Sequence, residues 1–231
     1  MKNRCLTLLL CLVFPGVAIG NIALQNQPAW TNWTEKEARK FLYDSPWVRT
    51  QTNQGFKGPL LASPQQDSLP GPKDFGPIAY IRLLSAKPIR QAYVRQAELE
   101  QKNSNPQFVE QKRRFAERDF DEWIVLSVTL MRYDLQRTLE PDEFRLATTA
   151  KLRAETWLQI DNGERISLLE FQPPGKDGLG AKFIFPRQVN GKPVIKPGDN
   201  YLQFSSDMSS KLQLKCNFKV SDLKYDGKLE Y

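Results

Sequence analysis

The chain has 231 residues, a formal net charge of +7 and a hydrophobic fraction of 40%. This apolar content argues for a folded protein, because disordered chains lack the apolar surface that offsets chain entropy. The sequence contains no histidine, which excludes Ser-His-Asp and Cys-His nucleophiles and histidine-ligated zinc. We predict no metal site and no cofactor, and any catalysis would have to use carboxylates, Lys, Tyr or Ser.

The N-terminus is typical of a secretory signal. Lys2 and Arg4 precede an apolar run over residues 6–17, and residues 18–20 place small side chains at the two positions that a signal peptidase reads. We predict cleavage before Asn21 and a periplasmic or extracellular location, with no stable membrane span afterwards. A permanent single-pass anchor stays open as the alternative.

Cleavage at that position would remove two of the 33 basic residues and none of the 26 acidic ones, which leaves a net charge of +5. It would also remove two of the three cysteines. Cys216 alone cannot form an internal disulfide, and its place in an apolar alternation predicts a small buried hydrophobe. The core, rather than a disulfide framework, must therefore stabilise the fold.

Residues 21–49 are predicted to form an N-terminal docking helix. Thr34 is a good N-cap, Glu37 follows at the capping-box spacing, and Trp33 precedes the cap as a hydrophobic staple. The helix should end before Pro46, because the residue before a proline avoids the helical region. A helix this short cannot persist alone, so we expect it to dock on the rest of the protein.

Composition and periodicity divide the next part of the chain. Residues 50–77 are rich in Gln, Gly, Pro and Ser, which predicts an extended linker or surface wrap. The remaining residues, 78–231, are predicted to form an α+β domain that begins with a buried strand over residues 78–84. Helical spacing of apolar residues predicts helices over residues 88–102 and 107–119.

From Trp123 onward the apolar period changes to two, and the first strand has one wholly apolar face and one that is only partly polar. Asn-Gly or Asp-Gly pairs predict hairpin turns at residues 162–163, 190–191 and 226–227. About seven or eight strands follow residue 120. The pattern predicts an α+β fold with an antiparallel β-sandwich, immunoglobulin-like or related, on which the N-terminal helices pack.

Three of the five tryptophans lie in one short segment, and they are the candidate binding residues: Trp30, Trp33 and Trp47. Such a cluster can form a stacking platform for a sugar or a partner peptide. The alternative is structural, with Trp33 stapling the docking helix and the other two anchoring it to the sandwich.

A basic group on the predicted helix over residues 107–119 raises the question of a nucleic-acid or anionic partner; it contains Lys112, Arg113, Arg114 and Arg118. Acidic residues are interleaved among these cations, which is typical of a solvated helix face with ion pairs four residues apart. We therefore predict no nucleic-acid partner, while weak attraction to an anionic envelope polymer stays open.

Two acidic clusters, at residues 119–122 and 140–143, offer carboxylates for a catalytic pair or a calcium site. Neither cluster has the spacing of an EF-hand loop. Surface charge near the ends of secondary-structure elements is the alternative interpretation of both.

Three segments carry a resemblance to known proteins. They are residues 33–47, which begin Trp-Thr-Glu-Lys-Glu-Ala, residues 88–92, Pro-Ile-Arg-Gln-Ala, and residues 218–231. Together they resemble a family of secreted bacterial proteins of unknown function found in acidobacteria. The resemblance implies an exported bacterial protein and supplies no activity.

The sequence favours an exported, non-enzymatic binding or structural domain of the bacterial envelope, with an envelope protein or an anionic polymer as its partner. The alternative is a carboxylate-dependent hydrolase that acts on glycan. Such a hydrolase needs two facing carboxyl groups about 5 to 9.5 Å apart, whereas a binding domain needs an exposed apolar patch or an open sheet edge.

Overall fold

The structure is a computed structural model that describes residues 29–52, 77–100, 105–132 and 138–231. The predicted signal and most of the predicted linker lie outside the described residues. Within them the chain combines α-helices with antiparallel sheets, so the predicted α+β class is confirmed.

The described residues contain five α-helices: α1 (Glu35–Tyr43), α2 (Lys87–Glu100), α3 (Pro106–Glu117), α4 (Asp142–Arg145) and α5 (Thr149–Leu152). The predicted capping box at the start of α1 is confirmed. The Glu37 amide donates to Thr34 Oγ1 at 3.3 Å, and the Thr34 amide donates to Glu37 Oε2 at 2.7 Å. The buried face of α1 carries Ala38, Phe41 and Leu42, which is the docking surface that a short helix requires.

The described residues form two main antiparallel sheets and two short two-stranded sheets. The strands in chain order are β1 (Val48–Thr52), β2 (Ile78–Leu83), β3 (Trp123–Met131), β4 (Thr138–Leu139), β5 (Thr156–Ile160), β6 (Arg165–Ser167), β7 (Glu170–Gln172), β8 (Ala181–Pro186), β9 (Gln188–Val189), β10 (Lys192–Pro193), β11 (Tyr201–Asp207), β12 (Gln213–Lys219), β13 (Lys224–Tyr225) and β14 (Lys228–Leu229). The large sheet has the order β1-β2-β3-β8-β7, with β4 paired to the end of β3. The small sheet has the order β12-β11-β5-β6.

The inner faces of the large and small sheets contribute to one core. The ring of Phe204 on β11 lies 5.2 Å from the ring of Phe183 and 6.2 Å from the ring of Phe185, both on β8. All three side chains are completely buried. Aromatic contacts between the two sheets therefore lie at the centre of the core.

Side chains of β1 join the two sheets along one side. Arg49 Nε donates to the Asn217 carbonyl at 2.7 Å, and Gln51 Nε2 donates to the Gln213 carbonyl at 2.6 Å. Gln51 Oε1 also accepts the Lys215 amide at 2.8 Å. The edge of β12 thus has side-chain partners in place of a further strand.

These contacts explain why a strand extends into the predicted linker. Residues 50–52 belong to β1 and pair with β2, with Thr50 opposite Tyr80. No apolar alternation in the sequence indicates this strand, because its alternate residues Arg49 and Gln51 hydrogen-bond to β12 instead of filling the core.

On the other side, the chain itself crosses between the sheets. The sequence predicts one strand over residues 166–171, but the structure divides it into β6 of the small sheet and β7 of the large one. The Leu168 amide donates to the Thr156 carbonyl, and the next amide, of Leu169, donates to the Ile184 carbonyl. Two consecutive residues therefore bond to different sheets.

Two of the three predicted hairpin turns are confirmed. Asn190-Gly191 and Asp226-Gly227 both have positive φ angles, as a two-residue turn of this type requires. Residues 162–163 also lie in a hairpin, because β5 pairs with β6, but the loop is longer than the predicted two residues and its residue with positive φ, at 48°, is Asp161. Its carboxylate accepts the Tyr201 amide at 2.9 Å, which ties a longer loop to the start of β11.

The outer face of the large sheet is covered by helices over β2. The Tyr43 ring at the end of α1 lies 5.2 Å from the Tyr80 ring, and Arg82 on β2 lies against the Tyr93 ring of α2. On β3, both Leu126 of the inner face and Ser127 of the outer face are fully buried. The large sheet is thus buried on both faces along β3.

The substitution Phe204→Ala should destabilise the protein by about 3 to 5 kcal/mol, because it leaves a cavity between the two sheets. Tyr201→Ala, on the same strand but 49% exposed, is the matched control and should cost much less. Urea unfolding of both variants measures the difference. Equal losses of stability would contradict the position of the core.

Candidate functional site

Two of the three candidate tryptophans are parts of the core. Trp33 and Trp47 are each only 1% exposed. The Trp33 ring stacks on Phe41 of α1 with a centroid distance of 4.3 Å, and Trp47 Nε1 donates to the Glu230 carbonyl at 2.7 Å. The predicted stacking platform is therefore not formed by these two residues, which anchor α1 as the structural alternative describes.

Trp30 is half-buried and belongs to a polar network. Its Nε1 donates to Glu117 Oε1 at 2.6 Å. Glu117 also forms an ion pair with Lys87 Nζ at 2.7 Å and accepts Gln91 Nε2 at 3.0 Å. Gln91 Oε1 in turn accepts the Tyr225 hydroxyl at 2.8 Å. The network ties the turn before α1 to α2, α3 and the end of the described chain.

Several residues of the second acidic cluster and of the basic group form ion pairs. Among the described residues no three His, Cys, Asp or Glu side chains converge to hold a metal ion. Asp142 pairs with Arg145 at 2.6 Å on α4. On α3, Arg113 pairs with Glu98 at 2.8 Å and Arg114 pairs with the residue four positions before it. The arginines and Asp142 are largely solvated, whereas the Glu98 side chain is only 9% exposed.

Cys216 is an inward-facing residue of β12 and is a free thiol. Burial raises the pKa of the thiol to about 12, although Arg49 lowers it slightly. The thiol is therefore protonated at neutral pH and unsuited to nucleophilic chemistry.

A groove of about 1190 Å³ lies between the α2–α3 pair and the outer face of the large sheet. The apolar lining of the helical wall consists of Tyr93, Val94, Ala97, Phe108 and Phe115. The apolar lining of the sheet wall consists of Trp123, Val125, Leu169, Leu179 and Ile184. We call this cavity the aromatic groove; it is as large as the cavities that bind small organic ligands.

Apolar side chains on both walls of the aromatic groove remain open to solvent. Phe108 on α3 is 44% exposed, and Leu169 beside β7 is 48% exposed. Large apolar residues facing each other across an accessible groove mark a binding surface more often than a scattered exposed residue does. Sequence reasoning missed this site, since it placed Phe108 on a helix without identifying what that helix faces.

Buried Arg90 fixes the helical wall of the groove. Its guanidinium donates to the carbonyls of Ser85, Phe115 and Arg118, and it lies 4.5 Å from the Phe120 ring. Burial lowers the pKa of Arg90 to about 10, so the side chain stays charged at neutral pH. Because Phe115 and Phe120 both line the groove, this bonding holds the wall in place before any ligand binds.

The carboxylates at the rim of the groove already have partners. Asp177 pairs with Lys182 at 2.8 Å. Burial raises the pKa of Asp177, but the hydrogen bonds from Lys182 and from the Leu179 amide outweigh it and hold the pKa below its usual value. Glu170 accepts an amide hydrogen of Gln172 at 2.9 Å. Both carboxylates are engaged by neighbouring side chains, so the groove offers binding through its apolar lining.

The Glu117 carboxylate should make stability depend on pH. Burial raises its pKa, but hydrogen bonds from Lys87 and Gln91 outweigh this and place the pKa below the ordinary value of 4.5. The stabilisation is therefore complete above that value and is lost as the pH falls through the folded-state pKa. Glu117→Gln should destabilise the protein near neutral pH, with a difference from wild type that shrinks in acid.

Urea unfolding from about pH 7 to about pH 3 measures this difference. Glu110→Gln is the control, because that exposed glutamate lies on the same helix and pairs only with Arg114 among the described residues. A Glu117→Gln effect that is independent of pH would contradict the network.

The comparisons with known proteins were made against family models, curated proteins and solved structures. None of the three returned a match. In the described part of the chain, no helix combines the length and apolar character needed to cross a membrane.

Proposed function

We propose that this chain is an exported, non-enzymatic binding protein of the bacterial envelope that holds the apolar part of its ligand in the aromatic groove. The observation that carries the proposal is the pair of half-exposed apolar side chains, Phe108 and Leu169, on opposite walls of a large cavity. The signal-like N-terminus supports export.

The bonding of two sheet edges favours the groove, rather than an edge strand, as the binding surface. An open edge could recruit a partner strand. The edge of β12, however, is bonded to Arg49 and Gln51, and the edge of β7 donates its Phe171 amide to Thr149 Oγ1 at 3.0 Å. The aromatic groove is thus the stronger candidate for contact with a ligand.

The direction of the carboxyl pKa shifts favours a binding function over glycan hydrolysis. A glycosidase keeps one carboxyl group protonated by raising its pKa. The pKa values of four carboxyl groups, Glu37, Glu117, Asp161 and Asp177, are instead lowered. Each of the four accepts hydrogen bonds from neighbouring residues, as a structural carboxylate does.

The proposal includes a β-sandwich as the scaffold. The contacts of Phe204 with Phe183 and Phe185 support face-to-face packing of the large and small sheets. We do not extend it to the immunoglobulin arrangement, because β1, β2 and β3 follow one another as neighbours in a single sheet. The groove would then lie on the outside of the sandwich, where helices cover only part of the sheet.

The double variant Phe108→Ser/Leu169→Ser should weaken binding of an apolar probe. Phenylnaphthylamine is a neutral fluorescent probe whose emission rises in an apolar site. We expect saturable binding to the wild type and at least about a tenfold loss of affinity in the double variant, because two apolar contacts are removed. Both side chains are partly exposed, so the fold should be retained.

The matched control is Leu146→Ser/Val189→Ser, which removes two exposed apolar side chains that do not line the groove. It should bind the probe as the wild type does. Absence of saturable binding to the wild type, or equal loss in both double variants, would contradict the proposed function.

A further inference from the structure

Arg82, next to the aromatic groove, is a buried cation without a carboxylate partner. It is 2% exposed. Its Nε donates to the Leu42 carbonyl and its Nη1 donates to Thr129 Oγ1, both at 2.7 Å. Both partners are neutral, and none of the ion pairs in the described chain includes Arg82. A buried charge is normally paired, so an uncompensated one creates a positive potential around it.

Three tyrosine rings enclose this guanidinium. Its central carbon lies 5.1 Å from the ring centres of Tyr43 and Tyr80 and 5.9 Å from that of Tyr93. Ring faces stabilise the cation in part but do not neutralise its charge. Ser127, opposite Arg82 in the strand register, adds a buried hydroxyl with no hydrogen-bond partner in the described structure. This part of the fold therefore has uncompensated polar groups.

Two of the three rings connect Arg82 to the groove. Tyr43 and Tyr93 line the aromatic groove, and no hydrogen bond within the described residues involves either hydroxyl. A phenol hydroxyl is a good donor to an anion. A negative group at these two tyrosines would gain their hydrogen bonds and the attraction of Arg82 behind the rings.

The charges that line the groove itself do not favour either sign. They are three lysines and three acids: Lys112, Lys176, Lys182, Glu100, Glu170 and Asp177. Lys182 and Asp177 also pair with each other. The net preference for a negative ligand group therefore comes from the cations beside Tyr43 and Tyr93, which are buried Arg82 and exposed Arg39, the latter 5.3 Å from the Tyr43 ring centre.

We propose that the ligand of the aromatic groove is an anionic amphiphile, with a single apolar chain in the groove and its negative head group hydrogen-bonded to the Tyr43 and Tyr93 hydroxyls. This inference rests on the proposed function and adds the chemical class of the ligand. A long-chain carboxylate has the required chemistry.

The first test compares three probes with the same twelve-carbon chain and different head groups: dodecanoate, dodecanol and dodecylammonium. Each is titrated below its aggregation concentration as a competitor of phenylnaphthylamine. We expect dodecanoate to bind at least about tenfold more tightly than dodecanol, and dodecylammonium to bind more weakly than either. Equal binding of the three would overturn the head-group assignment and leave the apolar groove intact, whereas no competition by any of them would count against the proposed function as well.

The second test uses Tyr43→Phe/Tyr93→Phe, which removes the two hydroxyls and keeps the rings around Arg82. Dodecanoate affinity should fall by about tenfold or more, while dodecanol affinity changes by less than about threefold. Tyr201→Phe, at an exposed tyrosine of β11 outside the groove, is the matched control. The two single variants each test one hydroxyl if the double variant does not fold. An unchanged preference for dodecanoate in variants that fold would overturn the proposal.

Discussion

The large sheet is buried on both faces, and the rest of the structure depends on that constraint. On β3 every residue after Trp123 is buried, including those that point away from the small sheet. An apolar face must be covered by another layer. Phe204 of the small sheet contacts the inner face at β8, and side chains of α1 and α2 contact the outer face at β2. The aromatic groove is the space that remains where the helical cover ends, over β8 and β7.

The same constraint explains the two buried arginines. A helix layer that lies on a sheet brings backbone carbonyls from loops and helix ends into the interior, and these need donors. Arg90 supplies donors to three carbonyls, and Arg82 supplies one to the end of α1. The difference between the two is electrostatic. Burial lowers the pKa of Arg90, and the carboxylates of Glu230, Asp119 and Glu117 offset part of this, whereas Arg82 has neutral partners and aromatic rings. The two buried arginines thus share one structural role, donation to buried carbonyls, in different electrostatic surroundings.

Local rules predicted the local structure, and what they missed depends on contacts between distant segments. The capping box of Thr34 and the turns at residues 190–191 and 226–227 follow from residues a few positions apart. The strand β1 and the break at Leu168 depend on hydrogen bonds to other sheets, which no local pattern encodes. At the candidate tryptophan cluster, the staple position of Trp33 in the sequence indicated that its side chain is buried. The sequence did not predict the groove. The partly polar second face of β3 indicates an exposed or half-covered surface, but it does not show which helix lies over that face.

The most direct test of the account is methyl NMR of the protein during titration with dodecanoate. The methyl signals of Val125, Leu169 and Ile184, which line the sheet wall, should shift saturably and together. The signals of Leu146 and Val189, which are exposed elsewhere, should stay in place. Shifts confined to the groove would support it as the ligand site. Saturable binding with shifts only outside the groove would contradict the account.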